Sequence, residues 1–379
     1  MRNLKFFLSA GEASGDLHGA RLMGSLRREC EAMGCGCSFV FLGGDEMARQ
    51  CGCEPLVDYR RMAYMGFVDV VRNLGNIRRN LAVARRGLRE SRPDALVLID
   101  YPSFNFRLAR EAQSLGIPVY YYIAPKVWAW KKWRVKQMRR WCRMVLSILP
   151  FEVEFFRQRG VDCRFVGNPT AGEVAEMCRE LVPRHELMSQ AGLPADSRYI
   201  ALVPGSRHGE IKANLPVMAE AAGRFADCRV VVAGAPGMSA EIYRRYCPGL
   251  PVVFGRTFDL MAYADAALVT SGTATLECAL LGTPQVVCYR GSRLTYEIMR
   301  HVLTIPFVSL PNLIAGREIV KELIMHFATA DAMAAELRQL LPGGTRREAQ
   351  IADYAALRAS LEADDGAAAR AIVGDLLSC

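Results

Sequence analysis

Runs of β-branched and aliphatic residues alternate along the whole chain with segments whose apolar positions recur at helical spacing, the pattern of βα units wound on a parallel sheet. In the first half the runs cover residues 5–9, 38–42, 55–58, 95–100, 119–123 and 145–149; in the second they cover 199–203, 229–233, 251–254, 267–270 and 285–289. Each half therefore reads as a doubly wound, Rossmann-like α/β domain. Phe165-Val-Gly-Asn-Pro169 closes the first half, and a hinge is expected near Pro169. The tail from Arg346 is helical and amphipathic, with Ile351, Tyr354, Leu357 and Leu361 on one face. The expected domains are 1–169, 170–345 and a helical segment 346–379 that packs back on the first domain or on a second subunit.

A length of 379 residues and 51% hydrophobic content suit two large cores and exclude a disordered or fibrous chain. The first residues imitate a signal peptide, but Glu12 and Asp16 arrive before an apolar region can develop, so they read as a buried strand. The longest uncharged stretch, 112–125, is broken by Gly116 and Pro118 and is shorter than the ~20 apolar residues of a membrane span. Thirteen cysteines, an odd number without an export signal, read as reduced thiols in a cytoplasmic protein. Cys35, Cys37, Cys51 and Cys53 could be offered to zinc, but their spacing is tighter than usual zinc pairs, and the five histidines form no spaced set, so no metal is expected.

Net charge is +9, which favours anionic partners. Residues 126–143 contain no acid and hold every tryptophan, Trp128, Trp130, Trp133 and Trp141. Ligands of an open parallel sheet collect at the carboxyl ends of the strands where strand order reverses. That rule brings Glu12, in Ser9-Ala-Gly-Glu-Ala-Ser-Gly-Asp16, into one crevice with Asp100, which ends the run Ala95-Leu-Val-Leu-Ile. Asp100 would be an N-cap if a helix followed at once, but Tyr101-Pro102 is expected to delay it. In the second half the same rule joins Gly205, Ser206 and Arg207 to Ser271-Gly272-Thr273-Ala274-Thr275 and Glu277. A helix start with free N–H groups suits a phosphate, and Arg207 adds a permanent charge, although Ser271 or Thr273 could serve only as caps. The spacing of Gly11, Gly15 and Gly19 is not a dinucleotide fingerprint, so a nicotinamide cofactor is disfavoured.

These motifs, together with Met65-Gly-Phe67, Phe104-Asn105, Val127-Trp-Ala-Trp130 and Pro311-Asn-Leu-Ile-Ala315, resemble the lipid A disaccharide synthases, glycosyltransferases of the two-domain B type, over nearly the whole chain. The resemblance implies transfer of 2,3-diacylglucosamine from UDP-2,3-diacylglucosamine to the 6-hydroxyl of 2,3-diacylglucosamine 1-phosphate, with inversion, to give a β-1,6 disaccharide and UDP without a cofactor. It also implies Asp100 as candidate base, a role for Glu12, and Arg207, Glu277 and Asn312 among the UDP-site residues. The resemblance implies too that the two domains face each other across a cleft, whose closure would assemble such a site. The chain departs from the family in Ser103, where a second Asp is frequent, in Asn168, where many have His, and in Lys126, where Ser is common.

Acylated substrates require a bilayer. Met65, Phe67, Val68 and Val71, with nearby arginines, read as an interfacial helix, and Trp128, Trp130 and Trp133 as interface anchors; helix core or cleft lining are the alternatives. The expected location is the cytoplasmic face of the inner membrane, held peripherally on an anionic surface, with the C-terminal helices the candidate contact of a homodimer. The rivals are another nucleotide-sugar enzyme of the same architecture, either an epimerase, which would turn over without an acceptor, or a glycosyltransferase acting on a different lipid acceptor, and a nucleic-acid binder using 126–143, which would leave Asp100 and the second-half loops unexplained.

Overall fold

The structure is a computed structural model, in which residues 2–62, 73–129, 132–291, 306–362, 364 and 366–378 are described. The chain divides into two units, residues 1–169 with 363–379, and residues 170–362.

In the first unit β1 (Asn3–Ala10), β2 (Gly36–Gly43), β3 (Val57–Asp58), β4 (Ala95–Ile99), β5 (Val119–Tyr122), β6 (Met144–Ser147) and β7 (Cys163–Phe165) form a parallel sheet in the order β3-β2-β1-β4-β5-β6-β7. All five residues of β4 are buried, because helices cover both faces of a central parallel strand and leave no polar side to alternate with. Phe7, Leu96, Leu98 and Tyr121 fill the core on one face, and Leu4, Leu8, Val97 and Tyr120 that on the other. The order reverses between β1 and β4, paired in register Ser9↔Leu98 and Ala10↔Ile99, so the loops after these strands emerge side by side.

The second unit repeats the plan with β8 (Tyr199–Val203), β9 (Arg229–Gly234), β10 (Val252–Phe254), β11 (Ala266–Thr270), β12 (Gln285–Tyr289) and β13 (Lys321–Ile324), in the order β10-β9-β8-β11-β12-β13. Here β8 and β11 are the reversing pair, with Val203 opposite Val269.

The segment 346–379, expected as one block, is shared between the units. The helix Arg347–Leu361 stays with the second, where the Gln350 amide oxygen accepts from the Gln285 backbone N–H at 2.9 Å. The helix Ala367–Leu377 belongs to the first, packing Ala369, Ile372 and Val373 into the core beside Leu8 and Val97. Its Asp375 accepts from the Tyr120 hydroxyl at 2.6 Å and pairs with Arg143. Strands β7 and β13 were not anticipated. In β13 only Leu323 is buried, so a charged edge strand carries little apolar signal. Among the described residues no helix is long and apolar enough to cross a membrane.

Candidate functional site

Asp100 follows the last residue of β4 and has φ +41°, and Tyr101 has φ +46°, two successive left-handed residues that are not glycine. Such backbone persists only where neighbours hold it. The Asp100 carbonyl accepts from the Asn105 amide and from the Tyr121 hydroxyl, each at 2.8 Å. The Asn105 carbonyl oxygen in turn takes the Ser9 hydroxyl at 2.7 Å, so one buried amide ties the ends of β1 and β4 together. The Tyr101 hydroxyl donates to the Met62 carbonyl at 2.7 Å, and its ring lies on Gly11, where a Cβ would stand 2.2 Å from the ring. Gly11 is glycine because of that approach. The helix is not delayed as expected: Tyr101 is its N-cap and Pro102 its first residue, since proline at that position lacks an N–H that would have no partner.

Asp100 lines a cavity of about 230 Å³ together with Lys126, Arg134 and Glu152. Burial, and then the negative charge of Glu12, push its pKa up to about 6, against the pull of the Tyr101 backbone N–H and of Lys126. Glu12 is the N-cap residue of the helix Ala13–Ala32, half-buried, and accepts from the Ser14 hydroxyl at 2.9 Å. Asp16 of the same motif is different in kind: buried, it accepts from the backbone N–H groups of Gly44 at 2.7 Å and Glu46 at 3.0 Å and so caps the helix Asp45–Cys51.

In the second unit Gly205 has φ +108°, and a Cβ there would meet Glu210 Oε2 at 2.5 Å. Glu210 accepts from the backbone N–H groups of Ser206 and Arg207 at 3.1 and 3.3 Å, which shapes the loop after β8. The Arg207 side chain is 77% exposed and pairs with Glu210 at 3.2 Å. Across the β8–β11 pairing, Gly272 and Thr273 are exposed at the start of the helix Thr273–Leu281, with Ser271 and Ala274 half-buried beside them. The Ser271 hydroxyl donates to the Val308 carbonyl at 3.1 Å. Glu277 is half-buried on the same helix, and burial, then Glu173, raise its pKa above the usual carboxylate range.

Three of the expected residues are turned inward and held by partners within their own unit. Thr275 is fully buried, and its hydroxyl donates to the Gly272 carbonyl at 2.8 Å, so its side chain closes the helix turn instead of meeting a ligand. Asn312 is also fully buried. Its amide donates to the Val320 carbonyl and to Glu322, and its oxygen accepts from the N–H groups of Ile319 and Val320, all between 2.7 and 2.9 Å, so the side chain ties down this loop. Trp128 is 7% exposed, with its indole N–H donating to Glu152 at 2.7 Å, and has no face for a bilayer. Trp133 is 57% exposed. Met65, Phe67, Val68, Val71 and Trp130 lie outside the described residues.

Sequence reading missed Glu152 and Arg134 in the cavity. Glu152 follows the end of β6 in Leu149-Pro-Phe-Glu152, so the strand-end rule that found Asp100 could have found it.

The family model for lipid-A-disaccharide synthetase matches residues 6–373. A lipid-A-disaccharide synthase of Myxococcus xanthus (strain DK1622) is 40% identical over 375 residues, 97% of this chain and 95% of that protein. Among solved structures, a UDP-GlcNAc 2-epimerase from Neisseria meningitidis bound to UDP-GlcNAc is similar with a TM-score of 0.61 at 12% identity, with 100% of each chain covered. The glycotransferase of kitacinnamycin reaches 0.58 at 16%, covering 99% of this chain and 100% of that one. At those identities the structural likeness speaks for the B-type fold alone, while the sequence matches reach the activity: the chain belongs to the lipid-A-disaccharide synthetase family, the glycosyltransferases of lipid A biosynthesis.

Proposed function

We propose that the chain joins UDP-2,3-diacylglucosamine to 2,3-diacylglucosamine 1-phosphate, forming the β-1,6 disaccharide 1-phosphate with inversion and releasing UDP. The observation that carries the reading is Asp100: a strand-end carboxylate on a cavity, with a pKa of about 6. Such a group is mostly ionised at pH 7 yet basic enough to take a proton as it leaves a hydroxyl, which is what an inverting displacement asks of its base. Asp100 removes the proton of the acceptor 6-hydroxyl while that oxygen attacks the anomeric carbon and the bond to UDP breaks. Glu12 raises the basicity of Asp100 by like charge.

The departing diphosphate needs positive potential. Arg207 and the exposed start of the helix Thr273–Leu281 supply it in the second unit. There Ser206, Ser271, Gly272, Thr273 and Ala274 surround UDP, and Glu277 accepts from nucleotide hydroxyls. Residues 1–169 then form the acceptor domain and 170–345 the UDP-sugar domain. The exposed Trp133, with Met65, Phe67, Val68, Val71 and Trp130, supports peripheral attachment to the cytoplasmic face of the inner membrane, and the helices after 346 are the proposed contact of a homodimer.

The test supplies the purified protein with UDP-2,3-diacylglucosamine, with and without the monosaccharide phosphate. Disaccharide and UDP appearing only with acceptor is the expected result. Release of UDP or of an epimerised sugar at the same rate without acceptor would point to an epimerase and end the reading.

A further inference from the structure

Four charged groups, Asp100, Lys126, Arg134 and Glu152, share the cavity of the first unit, and the proposed reaction uses one of them. Arg134 stacks its guanidinium 5.4 Å from the Phe106 ring centre and 5.6 Å from that of Trp133. Its Nε is buried with no hydrogen-bond partner among the described residues, and burial lowers its pKa. Among the described residues neither Arg134 nor Lys126 forms an ion pair. A buried Nε–H left open in this way is costly unless a ligand completes it.

The acids of the cavity do not complete it. Glu152 is buried, and its two oxygens take the Trp128 indole N–H and the Ser147 hydroxyl. Burial pushes its pKa up to about 7, so near neutrality it carries only part of a negative charge. Lys126 is exposed on the segment between β5 and the helix Arg134–Trp141, and its charge acts on both Asp100 and Glu152. The remaining lining, Ile123, Ala124 and Leu149 among it, is apolar. At about 230 Å³ the cavity lies below the ~300–1,000 Å³ of sites that enclose drug-sized ligands, so it suits one polar head and leaves long chains outside.

We propose that Lys126 and Arg134 seat the phosphate of the acceptor, so that a phosphorylated amino sugar lies in this cavity with its reacting hydroxyl at Asp100. The assignment rests on the reading of Asp100 as the base. Arg134 offers a fixed fork to two phosphate oxygens, and Lys126 adds a mobile point charge. Lys126 thereby gains a role that its departure from the family pattern left open.

The test titrates the full chain with glucosamine 1-phosphate, glucosamine and UDP, in the wild type and in Lys126→Ser, Arg134→Gln and Arg134→Lys. The first two substitutions should each weaken glucosamine 1-phosphate binding about tenfold or more, as loss of a charge-assisted hydrogen bond does, with Arg134→Lys in between. Glucosamine and UDP binding should stay at wild-type values. Unchanged glucosamine 1-phosphate affinity in Lys126→Ser and Arg134→Lys overturns the proposal, and so does a loss of UDP affinity, which would give these cations to the donor. Transfer assays separate the two claims. If the wild type makes disaccharide and the acceptor KM does not rise in Lys126→Ser, the phosphate seat is wrong while the function stands. If the binding losses are found but no disaccharide forms, the seat stands and the function fails.

Discussion

Replacing Asp100 by Asn should make the first unit more stable at alkaline pH while abolishing transfer. Burial and the Glu12 charge move the Asp100 pKa from its ordinary 3.8 to about 6. At 1.36 kcal/mol per pH unit, keeping this carboxyl ionised in the folded state costs about 3 kcal/mol. Asn carries no charge, keeps an oxygen for the Tyr101 N–H, and tolerates the left-handed backbone at φ +41°. The sign follows from linkage. An acid with a raised folded pKa binds its proton more tightly when folded, so wild-type stability is lost as pH rises between about 4 and 6 and is level above that. The advantage of Asp100→Asn should be about 0.5 kcal/mol at pH 4 and about 3 kcal/mol at pH 8. For a unit of this length that corresponds to a Tm difference of roughly 6–12 °C at pH 8. Thermal unfolding of both proteins across this pH range checks it. A variant no more stable than wild type at pH 8, or a difference independent of pH, would refute the claim that Asp100 is held in a costly, reactive state.

Glu12→Gln removes a negative charge facing Asp100 and should move the acid limb of the kcat/KM profile from near pH 6 to lower pH; a limb that stays in place would separate the two groups. Arg207→Ala should weaken UDP binding about tenfold or more while leaving Tm within about 1 °C, because the side chain is 77% exposed and its ion pair with Glu210 is made at the surface end of that side chain. Asn312→Ala should lower stability by about 2–4 kcal/mol through the four hydrogen bonds it abandons, which thermal unfolding will show. The opposite outcome for Asn312, intact Tm with lost UDP affinity measured by titration, would return that residue to the ligand.

The reversing strand pairs β1–β4 and β8–β11 were legible because short apolar runs such as Ala95-Leu-Val-Leu-Ile, alternating with helical patterns, read as buried parallel strands, and the strand-end rule then points at Asp100 and Arg207. Motif reading was less able to separate residues that face a ligand from residues that hold the loop. Asn312 and Thr275 sit in the same kind of polar motif as Ser271 and Thr273, and only burial distinguishes them. Trp128 shows the same limit in composition. A basic, tryptophan-rich stretch suggests a membrane surface, but the partner that draws Trp128 inward, Glu152, stands 24 residues further along the chain. The left-handed turn at Asp100 and Tyr101 depends on Asn105, Tyr121 and Gly11, which no local pattern connects.

The most direct test of the account is single-turnover transfer by Asp100→Asn, with UDP affinity measured on the same sample. Removal of the base should slow formation of the disaccharide by about 10²–10⁴-fold with UDP affinity unchanged. Transfer within tenfold of wild type would show that another group accepts the proton.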